Sequence, residues 1–191
     1  MFFKNFILII ATVCAGLFSA CGPKTIMPQA TLDSPRHHVS NGQALLANEK
    51  INAAFYEFNR AKELDPKYAP AYVGLGLVAG FRGNFENGLT NIKDARKYAQ
   101  GNEQKVAVDV AHMRIYIMGG DRLDKSWLDI VENKFNRARN MAPDAPEPYF
   151  FMGRAYQQAN DFTKAKFLFQ TVIDLDNGYV HEAEAEYATI R

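Results

Sequence analysis

From residue 35 onward, small and large apolar residues recur at matched offsets. Three segments of 34 residues superpose, and their eighth positions carry Gly42, Gly76 and Gly153. Twelve residues on come Ala54, Gly88 and Ala165, then the large apolar Phe58, Ile92 and Phe169, then Ala61, Ala95 and Val172. Each segment predicts two antiparallel helices. Small residues at positions 8 and 20 let the helix axes approach closely. Large residues at positions 4, 7 and 24 fill the space to the neighbouring hairpin: Tyr72, Leu75 and Ile92 in one segment, Tyr149, Met152 and Phe169 in another. The intervening NEKI, GNFE and NDFT read as turns, with Asn48, Asn84 and Asn160 as loop or capping residues. Pro66 stands where the second helix of its segment must stop.

A fourth unit lies between the second and the last. Counting back from Pro143 gives Ala138, Phe135, Val131 and Leu128, the offsets that also precede Pro66. Its first helix, roughly 103–118, is apolar at Val106, Val110, Met113 and Ile117, a helical spacing. The turn GGDRLDK is longer than its counterparts, and the helix and turn together carry about nine residues more than the other units.

This pattern resembles the tetratricopeptide repeat, most specifically in PEPYFFMGRAYQQANDFTKAKFLFQTVIDLDN and in INAAFYEFNRAKELDP. The resemblance covers residues 35–178, as units 35–68, 69–102, 103–145 and 146–178. It implies an all-α chain: a right-handed α-solenoid of about four helix-turn-helix units. Residues 179–191 are expected to form the capping helix that shields the last apolar face. The first unit departs from the pattern at His38 and Asn41, which predicts a solvated end to the stack.

The resemblance also implies a groove lined by the first helix of each unit. Carried over position by position, the candidates are Val39, Gln43, Leu46 and Ala47, then Val73, Leu77, Gly80 and Phe81. The third unit offers Ala107, Ala111, Arg114 and Ile115, and the fourth offers Phe150, Arg154, Gln157 and Gln158. The clamp of Lys, Asn and Arg side chains that some such repeats use for peptide C-termini is absent, since the corresponding positions here are Val39, Gln43 and Gly74. What remains is an apolar groove with Arg114 and Arg154 as polar anchors. It suits an amphipathic helix or an extended apolar segment. Shielding by the N-terminal tether or by a second copy of the chain is the structural alternative.

The N-terminal residues carry a different signal. One cation, Lys4, precedes an apolar run from Phe6 to Phe18, and then Ser19 and Ala20 precede Cys21. As a helix that run reaches about 20 Å, short of a ~30 Å bilayer core, so residues 1–20 read as a cleaved signal peptide. Cys14 is a small apolar residue within it. The segment resembles a bacterial lipoprotein signal, although Phe18 stands where an aliphatic residue is usual. The resemblance implies that Cys21 becomes the lipidated first residue of the mature chain. Acyl chains anchor at ~0.8 kcal/mol per buried methylene. Gly22 follows, not the Asp that marks inner-membrane retention, so the expected location is the periplasmic face of the outer membrane. Residues 21–34, rich in breakers and turn formers, read as a lipidated tether.

Composition narrows the function classes. The chain has 191 residues with 22 Lys and Arg against 21 Asp and Glu, and 48% are hydrophobic. That excludes an intrinsically disordered chain, and no basic excess points to nucleic acid. Two cysteines cannot form a disulfide scaffold or a four-ligand zinc site. Adjacent His37 and His38 point about 100 degrees apart on a helix, while His112 reads as a partly buried core residue and His181 as part of the polar cap. No phosphate loop, GxSxG elbow, HExxH or CxxCH occurs. Asp121 and Asp124, like Asp174 and Asp176, read as helix-end or turn acids.

The expected function is therefore non-enzymatic: a membrane-anchored adaptor that binds a protein or peptide of the cell envelope and assists assembly of an envelope complex. It would carry no cofactor or metal beyond the lipid on Cys21. Two alternatives stay open. One is an accessory hydrolase with a site near the long turn Gly119–Lys125, and the other is a self-associating structural lipoprotein.

Overall fold

The computed structural model describes residues 33–190; the signal peptide, Cys21 and most of the tether lie outside them. Among the described residues nine α-helices follow one another: α1 Pro35–Ala47, α2 Ile51–Leu64, α3 Ala69–Phe81, α4 Phe85–Tyr98, α5 Gly101–Gly119, α6 Trp127–Met141, α7 Pro146–Gln158, α8 Phe162–Leu175 and α9 Val180–Thr189. No strand occurs among the described residues. Prolines open α1, α3 and α7 in the first turn, where the missing N–H has no helical partner to lose.

Three of the described hairpin turns share one geometry built from different residues. Glu49, Gly83 and Asn160 occupy equivalent positions with φ of 57°, 75° and 62°. The next residue starts the second helix, and Asn84 and Asp161 accept from the backbone N–H of Asn87 and Lys164 at 3.2 Å. Asn48 instead closes α1 by donating to the Ala44 carbonyl at 2.7 Å. The three turn asparagines thus hold three different stations: a C-cap, an N-cap and a left-handed link.

Close approach within the first, second and fourth hairpins depends on glycine facing an aromatic or branched side chain. A Cβ on Gly153 would fall 2.7 Å from the Phe169 ring, and one on Gly76 would fall 2.8 Å from Ile92. Gly74 is tighter, because its Cβ would lie 2.2 Å from Phe58, which already fills the space against Gly42. Phe58, Ile92 and Phe169 are all completely buried.

The core runs along the stack in two clusters. The first joins α1–α4 to Val108, Ala111 and Ile115 of α5, and the second joins Val106, Val110 and Met113 of α5 to α6–α9. With 19 residues and apolar groups on two faces, α5 belongs to both. The first helix buries only Val39, Gly42 and Leu46, whereas α3 buries ten residues.

The extra length of the third unit resides in α5, in a tight 3-10 turn over Gly120–Arg122 and in the link to Trp127. Gly120 ends α5 at φ 53°, and Trp127 is buried at the start of α6.

Curvature follows from which helices meet. Helix α1 packs on α3, α3 on α5 and α5 on α7, while among the described residues no two even-numbered helices make comparable contact. Crowded odd helices and separated even helices place the odd set on the inside of an α-solenoid. The last helix does more than cover an end. Ala183 and Ile190 enter the core, while the opposite side of α9 continues the inner face.

Candidate partner-binding groove

The odd helices enclose an open cavity of about 1300 Å³, running from the end of α1 to α9. Hairpin topology makes these helices parallel, so the same turn of each lies on the same edge. The floor is apolar, with Leu46, Val73, Leu77, Val110, Ala111 and Phe150 among its walls.

Of the residues picked out by sequence, Gln43, Leu46, Val73, Leu77, Ala111, Arg114, Phe150 and Arg154 come together on this cavity. Val39 and Phe81 do not. Val39 lies outside the lining, packed into the first core cluster one turn before Gln43. Phe81 is the last residue of α3, outside the lining, and its ring lies under Arg114 at 5.9 Å. Ile115 is likewise part of the core, and Gly80 is closed off because its Cβ would meet Met118 at 2.6 Å. Among the additional candidates, Ala47 and Ala107 line the cavity, both exposed.

The two arginines differ. The Arg154 Nε lies 3.5 Å from a carboxylate oxygen of Glu186 on α9. Arg114 has no hydrogen-bond or ion-pair partner among the described residues. It packs over the Phe151 ring at 4.8 Å, and burial holds its guanidinium below the ordinary arginine range. Tyr179, before α9, stands near both signs of charge. Burial pushes its phenol up, Arg114 opposes that rise, and Glu147 and Glu182 add to it.

Sequence reasoning missed Phe151, Tyr179 and a row of acids. Glu103, Glu147 and Glu182 occupy the first turns of α5, α7 and α9 and line one edge of the cavity. The signal was available in α9, where Glu182, Ala185, Glu186 and Thr189 are three and four apart and share the inner face.

The long turn borders a smaller cavity of about 810 Å³. Its charged residues face water: Asp121 is 67% exposed and sits 3.7 Å from Lys125. Asp124 is used by the turn, accepting from the backbone N–H and the hydroxyl of Ser126 at 2.7 Å. No group of three metal-ligating side chains occurs among the described residues, and no described helix is long and apolar enough to cross a membrane. His38 bridges Glu57 at 2.7 Å and Asp33 at 3.0 Å, tying the start of the described chain to α2.

Comparison with known proteins agrees with this architecture. Residues 146–179 match the family model of the tetratricopeptide repeat. The chain is 25% identical over 118 residues to anaphase-promoting complex subunit CDC16 of Saccharomyces cerevisiae, covering 62% of this chain and 13% of that protein. It is 29% identical over 130 residues to a CTR9 homolog of Arabidopsis thaliana, covering 68% of this chain and 11% of the relative. The chain therefore spans about an eighth of the curated relatives it matches. Among solved structures, the anaphase-promoting complex hetero-tetramer Cut9-Hcn1 superposes with a TM-score of 0.54 at 15% identity, over 76% of this chain and 26% of that one. This likeness is one of fold: an α-solenoid of helical hairpins.

Proposed function

We infer that this protein is a non-catalytic adaptor whose inner groove holds a segment of another polypeptide, and that a lipid on Cys21 anchors it to the cell envelope. The observation that carries the reading is the groove itself: a continuous apolar surface on parallel helices, open along its length and edged by charge. Such a surface suits an apolar or amphipathic segment, and a rigid stack binds it with little ordering cost to the scaffold. The tetratricopeptide match at residues 146–179 supports a role in protein interaction.

Anchoring adds a second effect. A tether of about a dozen residues confines the groove to within about 45 Å of the membrane at ~3.4 Å per residue, raising its effective concentration for partners there. The resemblance of residues 1–21 to a lipoprotein signal favours the periplasmic face of the outer membrane, and the service performed is assembly of an envelope complex.

The test is co-purification of the full chain from detergent-solubilised envelopes beside an Ala107→Trp variant. Ala107 is exposed and lines the groove, so the indole fills the groove without disturbing the core. The expected result is a stoichiometric partner lost in the variant at unchanged helicity. A partner retained undiminished by the variant would reject the groove as the binding surface.

A further inference from the structure

We propose that Arg114 is the groove's specificity residue, and that the segment it holds presents a carboxylate flanked by apolar residues. This rests on the reading of the groove as a polypeptide-binding surface and adds the chemistry of the occupant.

The argument starts from an imbalance. Arg114 and Arg154 are the two cations of the lining. Arg154 has an ion-pair partner within the fold, Glu186 of α9, 3.5 Å from its Nε. Arg114 projects from the C-terminal half of α5 and is partly buried, with no described acid or carbonyl bonded to it. Its guanidinium carbon lies over the rings of Phe151 and Phe81, 4.8 and 5.9 Å from their centroids, in cation–π contact. Those rings take no hydrogen bonds from its N–H groups in their plane. A guanidinium held this way, with donors that no described residue uses, is a site prepared for a planar anion, and a carboxylate matches its fork.

The remaining lining decides what surrounds that carboxylate. Leu77, Val110 and Phe150 are apolar and require apolar neighbours in the ligand. The acidic edge of Glu103, Glu147 and Glu182 repels a second acid, so a uniformly acidic segment is disfavoured. A single acid set within an apolar run satisfies both conditions.

The experiment pans a phage-displayed library of random 12-residue peptides on the immobilised full chain in detergent, then titrates the enriched peptides as fluorescent synthetic copies. The proposal expects an Asp or Glu bracketed by apolar residues in the enriched set. Arg114→Gln should weaken binding about tenfold or more, the scale of a charged hydrogen bond. Replacing the peptide's acid by its amide should do the same, and the two changes together should lose no more than either alone. Arg114→Lys should fall between, and Arg154→Gln should change affinity less than about threefold. Circular dichroism of each variant checks that the helices persist.

Enriched peptides without an acid, or acid dependence indifferent to Arg114→Gln, would overturn the assignment while leaving the groove intact if Ala107→Trp still abolishes binding. An absence of enrichment, or binding unaffected by Ala107→Trp, would overturn the groove reading and this inference with it.

Discussion

Arg96 of α4 donates a hydrogen bond to Asp109 of α5, whose side chain is wholly buried, and Arg137 of α6 reaches the other carboxylate oxygen at 3.7 Å. One carboxylate thereby links three helices at the point where the two core clusters meet. Asp109→Ala would leave both guanidinium groups facing a cavity with no counter-charge. Breaking such a buried pair costs about 3 kcal/mol, at the low end because the arginines are partly solvated. Urea unfolding of the variant against the native chain measures it. Arg96→Met combined with Asp109→Leu should recover part of the loss, since an apolar pair needs no desolvation offset.

His112 sits beside that cluster on α5, stacked on Tyr116 at 5.0 Å between ring centroids. Burial is the main cause that pulls its imidazole down to about 4 from 6.5, and Lys134, Arg96 and Arg137 add to the effect. The unfolded chain therefore takes up a proton near pH 6.5 that the folded chain refuses until about pH 4. Stability must fall as pH drops through that window, with a slope of at most about 1.4 kcal/mol per pH unit from this group. His38 acts with the opposite sign, because Glu57, followed by Asp33, raises its pKa, so folding gains as it protonates. Comparing the native chain with His112→Phe cancels the His38 contribution. The variant should lose less stability than the native chain between pH 7 and pH 5 in parallel urea titrations.

Gly74→Ala should be costlier than most glycine substitutions in these helices. Its Cβ would lie 2.2 Å from the Phe58 ring, which is itself enclosed and touches Gly42. Overpacking of this kind costs about 1–3 kcal/mol. Thermal unfolding should show the loss, and adding Phe58→Leu should relieve the clash so that the pair costs less than the sum of the single changes.

Lipidation at Cys21 has a direct readout. Metabolic labelling with a radioactive fatty acid should mark the full chain, and Cys21→Ser should abolish both the label and recovery in the membrane fraction. Labelling that survives Cys21→Ser would remove the anchor from the account.

Much of the solenoid was legible because the repeat imposes the same packing demand again and again. Gly42 with Phe58, and Gly153 with Phe169, are small-to-large pairs whose spacing follows from two antiparallel helices in contact. The groove residues were less legible for the same physical reason. Position within a repeat gives the direction of a side chain, while burial depends on the neighbour it meets. Val39 and Ile115 point nearly correctly and are taken up by the core, and Phe81 falls where its helix ends. Asp109 was hidden because the apolar periodicity of α5 carried no mark of its charge, and its two arginine partners come from other helices. Tyr179 and Glu186 were missed because α9 read as a lid. The side that bears Glu182, Ala185, Glu186 and Thr189 turns toward the groove, which a cap alone would not require.

The most direct test is site-specific photocrosslinking in intact envelopes, with a benzophenone side chain at Ala107 in the groove and, separately, at Phe167 on the outer helix α8. Phe167 is 73% exposed and apolar, so it is a stringent control for nonspecific capture. The account predicts a discrete covalent adduct with another polypeptide from position 107 and none from position 167. An adduct from position 167 with none from position 107 would contradict it.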